Sequence, residues 1–457
     1  MITREKIIKN WKEKNSINRK YIHFDKTKNA LSPNIENYVT NCQNIEKHSF
    51  YPFLRIKKIF KKFNIKNPNR PKVKEREITY SSHIDRLIYS YYSQIINEHY
   101  NEYLLKMNFN DNIIAYRSNL KKNNIHFAKE AFEKIQETTG AFVIIGDFSN
   151  FFDNLDHKYL KKQICKVLNK KKLCKPWYII FRNITKYHYC ELKSILRYLK
   201  ISKNELQKKD RICSSKKFRK YIDEKKIQIH PNTKNKGIPQ GSAISAVLAN
   251  VYMIEFDLEI INFLKNVNGS YFRYSDDFII IFPSEFEMKK FSELKNKIEE
   301  SINKIPNLEL QEEKKQFFYF KNNRLKKINK IENPNKKVVL NYLGFSFDGE
   351  KITIRDKTIS KYYYRMYNKI KTINKCIKNS NGITKNGNRI SCKKLYENYS
   401  LKGGYNKNKK IFKGNFIHYV KRAEKIFGIK NSKYISHLRK IHFKKIKQKL
   451  KFEDIKR

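Results

Sequence analysis

Cysteine is scarce and scattered: seven in 457 residues, at Cys42, Cys165, Cys174, Cys190, Cys213, Cys376 and Cys392, with no CxxC pair and no nearby histidine cluster. That spacing argues against a disulfide framework or a structural zinc site, and favours a reduced compartment. The 13 glycines and 10 prolines are too few for long flexible linkers, and no internal repeat is evident. No run approaches the roughly 18 apolar residues needed to cross a bilayer. The opening MITREKIIKNWKEKN lacks an apolar core long enough for a signal peptide. No basic amphipathic membrane anchor stands out from the lysine background, so a cytoplasmic location without a membrane partner is expected. Acids are outnumbered, 43 Asp+Glu against 100 Lys+Arg, for a formal charge of +57. Part of this follows the abundance of Lys, Asn and Ile that AT-rich coding produces. An excess of this size still repels itself unless a polyanion is bound.

What is present can fold: 40% of residues are hydrophobic and 14% aromatic, enough for a substantial core in about two to four domains or subdomains. Residues 84–95 place Ile84, Leu87, Ile88, Tyr91 and Ile95 at the spacing of an amphipathic helix. Residues 158–236 read as a Lys-rich insertion with helical segments, and a helix is expected near 285–303. Asp348-Gly349 between apolar alternations signals a hairpin. From about 355 the chain is basic and mostly helical. Interspersed strands and helices followed by a helical region predict an α+β fold.

Three stretches carry the chemistry. In YFRYSDDFIIIF, Asp276 and Asp277 sit between apolar runs that read as two strands joined by a polar turn. Paired carboxylates at a hairpin tip repel unless cations neutralise them, although Ser and Asp are also ordinary turn residues. In FVIIGDFSNFFD an apolar strand delivers Asp147 at its end; a helix N-cap is the competing role. Three such carboxylates can hold two divalent ions about 4 Å apart, the arrangement that drives nucleotidyl transfer. Asp153 and Asp156 fit caps better than ligands. In GIPQGSAISAVLANVYM, Gly237, Pro239 and Gly241 form a loop with special backbone demands, letting the Gln240 amide approach a nucleotide; a plain turn before a close-packed helix is the alternative.

In order and spacing, GDFSNFFDNLDH, GIPQGSAISAVLANVYM, YSDD, LELQEEKKQ and NYLGF resemble the palm motifs of reverse transcriptases, with Ser275 where Ala or Met is more frequent. Upstream, RPKVKEREITYSSHIDR is similar to the fingers hairpin of bacterial and group II intron-type enzymes. The resemblance implies that Arg70 and Arg76 grip the incoming triphosphate. Without the usual glycine-rich tip, Lys72 or Lys74 can take either role. Arg86 and Arg117 fall at further fingers positions. By the same resemblance Phe152 is the steric gate that excludes a ribose 2′-hydroxyl, and Gln240 and Gly241 contact the dNTP. Lys314, with Lys315 beside it, protonates pyrophosphate. Tyr274, Leu343, Gly344, Tyr363 and Arg365 contact nucleic acid.

The implied fold is a right-hand polymerase: an N-terminal extension (1–55), fingers (56–135), an RRM-like antiparallel palm (136–345, with the insertion at 158–236) and a helical thumb (346–457). Aromatics interleaved with bases in the tail suit stacking and phosphate contact. The implied cofactor is two Mg²⁺, with Mn²⁺ as the alternative, held by Asp147, Asp276 and Asp277. The layout, with HFD and HSFYPFL near the start and KYYYRM after the palm, looks similar to defence-associated (abortive-infection or unknown-group) and retron enzymes of bacteria. This implies antiphage activity with a structured non-coding RNA as template, dNTP substrates and a DNA product, and a homo-oligomer or effector protein as further partner. Template-independent or protein-primed synthesis on the same fold stays open. So does an inactive RNA-binding module, which the intact carboxylates disfavour; Phe152 disfavours an RNA-making polymerase.

Overall fold

The computed structural model describes residues 2–62, 67, 70, 72–328, 338–380, 383, 390–406 and 411–450. Helices Arg4–Asn15, Pro33–Thr40 and Cys42–Glu46 open the chain, before strands β1 (Phe53–Lys62) and β2 (Lys72–Tyr80) and the long helix His83–Lys106. Helix Asn124–Gln136 leads into β3 (Gly140–Asp147). The following insertion contributes β4 (His188–Glu191) and β5 (His230–Pro231) among its helices. Helices Ser245–Tyr252 and Ile254–Lys265 precede β6 (Ser270–Tyr274) and β7 (Asp277–Pro283), and helix Met288–Asn303 precedes β8 (Gln316–Lys321) and β9 (Arg324–Lys327). The last part holds β10 (Leu340–Tyr342), β11 (Phe345–Phe347), β12 (Ile352–Ile354), helix Asp356–Ser380, the pair β13 (Gly404–Asn406) and β14 (Ile411–Lys413), and helices Phe416–Phe427 and Ile429–Lys449. The fold is α+β, as expected.

The central sheet has the order β6-β7-β3-β8-β9, every neighbouring pair antiparallel. Strand side chains alternate between faces. Phe142 and Ile144 of β3, with Phe278, Ile280 and Phe282 of β7, enter one hydrophobic cluster. Val143 and Ile145, with Ile279 and Ile281, enter another. Cover on both faces is why these strands read as unbroken apolar runs rather than as alternations.

The insertion is not purely helical. Strand β4 pairs in parallel with β1 and β5 pairs with β4, so the sheet runs β2-β1-β4-β5. Arg55 binds it together: its guanidinium meets Glu77 at 2.7 Å and Glu191 at 2.5 Å and stacks 3.8 Å over Tyr189. These short strands lack periodicity of their own, because a two-residue strand such as β5 carries no pattern.

The N-terminal residues are part of the main core: Ile7, Trp11, Val39 and Ile45 share one cluster with Phe142 and Phe278. The Asp25 carboxylate accepts from the backbone N–H groups of His83 and Ile84 at 3.0 Å each, capping the long helix from 58 residues away. The 345/346 boundary falls inside β11, and the C-terminal part carries the β13/β14 hairpin as well as helices. All seven cysteines are free. Among the described residues no helix is long and apolar enough to cross a membrane.

Candidate active site

Strand β7 begins at Asp277 and β3 ends at Asp147, and the two residues face each other in register. Both therefore project from the same sheet face, the face that carries Val143, Ile145 and Ile279. Gly146 makes room for this pairing: a Cβ there would stand 2.3 Å from the Phe278 ring. Tyr274 pairs with Asp277, leaving Ser275-Asp276 as a two-residue turn with φ of +63° at Ser275. A positive φ at the first position matches the twist of tight hairpins, and it is disfavoured for a residue with a side chain. The Phe148 N–H donates to the Asp276 carbonyl at 3.1 Å, so the chain leaving β3 stays fastened to the turn.

Asp276 and Asp277 both have carboxyls pushed above the ordinary range. Burial is the largest cause in each, followed by the Asp147 charge for Asp276 and by a hydrogen bond with Asp147 for Asp277. Crowded, half-desolvated acids share a proton or demand a cation. The Lys314 Nζ supplies one positive charge, 2.5 Å from the Asp147 Oδ2. The loop bearing Lys314 is fixed by its backbone, since the Gln311 N–H donates to the Asp147 carbonyl at 2.8 Å.

The donor set fits divalent cations: hard carboxylate oxygens, with one lysine as the counter-charge at Asp147, suit Mg²⁺ or Mn²⁺. Among the described residues no three His, Cys, Asp or Glu side chains form a ready-made cage. Asp147 and Asp277 instead contact each other and Lys314.

The residues expected at the nucleotide include a loop, 237–241, that packs against β2. The Gln240 carbonyl accepts from the Thr79 N–H of β2 at 3.1 Å, and its side chain is exposed. Gly241 has φ of +131°, and a Cβ on it would meet the Thr79 carbonyl oxygen at 2.4 Å. Phe152 is partly buried against the main cluster, in contact with Phe151, and its carbonyl accepts from the Ile238 N–H at 2.9 Å. Arg70 and Arg76 are exposed, Arg76 with its guanidinium 5.9 Å over Phe60. The side chains of Lys72 and Lys74 lie outside the described residues. Asp156 caps the helix His157–Val167, accepting from the Tyr159 N–H at 2.8 Å. Asp153 keeps an exposed surface, and desolvation by its surroundings, followed by the Glu77 charge, raises its carboxyl.

Three of the expected residues pack against the protein itself. Arg86 is buried and donates to the Asn15 Oδ1 at 2.7 Å, and Arg117 is buried among Asn101, Asn110 and Ile113. Both guanidiniums donate to internal acceptors, although the Arg86 Nε is left without a partner. Tyr363 is packed beneath the Lys445 ammonium at 3.9 Å; the exposed ring of this helix is Tyr364. Arg365 is exposed. Leu343 and Gly344, both at positive φ, form the tight turn between β10 and β11. A groove of 840 Å³ on the C-terminal part is lined by Phe412, His418, Lys421, Arg422 and Lys425, an aromatic among bases.

Sequence reasoning missed Asp257, Asn250 and Tyr116, which join Arg273 around the turn. The available signal was an acid at the helical spacing of Ile254, Ile261 and Leu264 in IEFDLEIINFLK and a lone base inside YFRY.

A strand-end carboxylate opposite a hairpin-tip pair, on a five-stranded antiparallel sheet, defines a right-hand polymerase palm. Residues 60–347 match the family model described as reverse transcriptase (RNA-dependent DNA polymerase), well over half of the chain. The chain belongs to the reverse transcriptase family. Solved structures similar to it include apo telomerase from Candida tropicalis truncated from its C-terminal domain, with 11% identity, TM-score 0.40, 68% of this chain and 57% of that one covered. Telomerase from Candida albicans in complex with a fragment of telomeric RNA has 12% identity and TM-score 0.40, with 99% and 69% covered. The Sicinivirus RNA-dependent RNA polymerase has 9% identity and TM-score 0.32, with 61% and 48% covered. The chain thus spans between about half and just over two thirds of the length of these proteins. No curated protein sequence matches it significantly.

Proposed function

We propose that this chain is an RNA-directed DNA polymerase that extends a 3′-hydroxyl with dNTPs. The observation that carries the reading is the facing of Asp147 and Asp277 across β3 and β7, with Asp276 at the adjoining turn. Asp147, Asp276 and Asp277 would hold the two divalent cations, Mg²⁺ or Mn²⁺. When bound, such ions lower the pKa of the attacking hydroxyl and neutralise the leaving pyrophosphate. The chain's own residues do the remaining work. Lys314 stands at the Asp147 Oδ2 and is placed to give its Nζ proton to pyrophosphate. The Gln240-Gly241 loop and Phe152 orient the sugar, and Phe152 excludes a 2′-hydroxyl. Arg70 and Arg76 neutralise the triphosphate. Tyr274 and the Leu343-Gly344 turn border the primer end, and the exposed Arg365 and the basic groove bind template backbone.

The template is a structured non-coding RNA, and the role is bacterial antiphage defence in the cytoplasm. The charge of +57, the seven free thiols and the HFD, HSFYPFL and KYYYRM stretches support this. The test is to purify the protein with its bound nucleic acid, add Mg²⁺ and labelled dNTPs with and without RNase, and sequence RNA and product. DNA complementary to the RNA and lost after RNase is the expected result. RNase-resistant low-complexity DNA would replace templated with untemplated synthesis, and product from Asp276→Asn/Asp277→Asn would overturn the site.

A further inference from the structure

Arg273 and Asp257 are both without solvent exposure. The Arg273 Nε and Nη2 donate to the two Asp257 oxygens at 2.7 and 2.6 Å, a fork-to-carboxylate pair, and the Tyr271 hydroxyl donates to the same acid at 2.7 Å. One guanidinium nitrogen remains. The Arg273 Nη1 donates to the Asn250 Oδ1 at 3.1 Å and to the Ser275 carbonyl at 3.0 Å, inside the turn that carries Asp276. From the other side the Tyr116 hydroxyl donates to the Ser275 Oγ at 3.1 Å. The segment bearing Tyr116 is itself laced to Arg273. The Ile114 N–H donates to the Arg273 carbonyl at 3.0 Å, the Arg273 N–H to the Asn112 carbonyl at 2.9 Å, and the Asn250 amide to the Ala115 carbonyl at 2.9 Å.

A buried ion pair is a poor way to stabilise a fold, since well-packed apolar residues of similar size do as well or better. What an apolar pair cannot do is donate to the Ser275 carbonyl. Ser275 sits at φ +63°, a conformation that side-chain-bearing residues disfavour, and such a residue persists only when its surroundings over-determine it. Arg273 and Tyr116 are those surroundings.

We infer that Arg273, fixed by Asp257 and Asn250, is a positioning residue that holds the Ser275-Asp276 turn so that Asp276 and Asp277 meet the cations at the required geometry. The inference deepens the polymerase reading and rests on it. Arg273 touches neither substrate nor cation; it acts through the Ser275 carbonyl.

The test compares wild type, Arg273→Met/Asp257→Leu and Arg273→Lys, each alone and with Ser275→Gly. The double variant removes the ion pair without leaving a buried unpaired charge, and Arg273→Lys keeps the charge while losing the fork. Readouts are circular dichroism and melting, KM and kcat for dTTP on a supplied primer–template, and Mn²⁺ affinity by calorimetry. Folded variants are expected to keep KM within about twofold and lose roughly 100-fold in kcat, the scale of an ångström's misplacement. Mn²⁺ affinity should fall about tenfold, as when a supporting partner of a metal site is lost. Glycine takes positive φ freely, so Ser275→Gly should recover kcat and Mn²⁺ affinity several-fold in the Arg273 variants. A merely structural role predicts no such recovery. Folded variants with kcat and Mn²⁺ affinity within twofold of wild type, or no recovery with Ser275→Gly, would overturn the inference. A wild type that incorporates nothing sinks the polymerase reading instead, while the Mn²⁺ comparison still decides this one.

Discussion

Gly241→Ala tests the seam between β2 and the Gly-Ile-Pro-Gln-Gly loop. The added Cβ would lie 2.4 Å from the Thr79 carbonyl oxygen, and the φ of +131° is one that alanine resists. Relief to an ordinary contact requires β2 and the loop to part by about 1 Å, at the expense of the 3.1 Å bond between the Thr79 N–H and the Gln240 carbonyl. The backbone strain costs roughly 1–3 kcal/mol, which a chain of this size survives. The displaced loop carries residues assigned to the nucleotide, and misplacement on the ångström scale costs about 100-fold. Steady-state kinetics with dTTP should show kcat/KM lower by about 10–100-fold while melting remains cooperative. Gly428→Ala is the matched control: its φ is +79°, but no atom lies within 4 Å of the added Cβ. It should melt slightly earlier and, because Gly428 borders the basic groove, keep the wild-type kcat/KM for dTTP at saturating primer–template. A Gly241→Ala protein with kcat/KM within threefold of wild type, or equal losses in both variants, would refute the argument from the seam.

Phe152→Ala should admit ribonucleotides, with deoxy-over-ribo discrimination falling about 10–100-fold in single-nucleotide incorporation; unchanged discrimination removes the gate. RNA binding should weaken steeply with salt, by about 1,000-fold from 50 to 200 mM if some six phosphates are neutralised, and a flat filter-binding response would undercut the polyanion argument. His23 is wholly buried, its ring nitrogens without a well-formed hydrogen bond, and burial lowers its pKa to about 3. The unfolded chain binds the extra proton between that value and the ordinary one near 6.5, so stability rises with pH across this window. Moving from pH 7.5 to 5.5 should remove about 1.4 kcal/mol through this residue, and chemical denaturation of His23→Gln should show that much less acid sensitivity.

Much of the site was legible because its elements are local. An apolar run that ends in an acid becomes a strand with that acid at its mouth, and a two-residue polar break between apolar runs becomes a hairpin turn. The Asp348-Gly349 turn and the helix Met288–Asn303 were readable for the same reason. What stayed hidden depends on partners far along the chain. Asp25 looks like a surface acid until helix His83–Lys106 is laid against it, and β4 becomes a strand only beside β1.

The arginines show why composition misleads in so basic a chain. Arg70, Arg76, Arg86, Arg117 and Arg273 are alike as letters, and motif position alone sorted the first four together. Burial divides them differently: Arg70 and Arg76 face solvent, whereas Arg86, Arg117 and Arg273 are enclosed and donate to protein acceptors, the Arg86 Nε excepted. The distinguishing feature was already in the apolar pattern. Arg86 interrupts HIDRLIYSYY, Arg273 interrupts YFRY, and Asp257 falls on the apolar face of its helix with Ile254, Ile261 and Leu264. A charge set in an apolar run must find a buried partner or disrupt the fold. Here Arg273 finds its partner 16 residues back in Asp257, and with its one spare nitrogen reaches the turn that carries the paired acids.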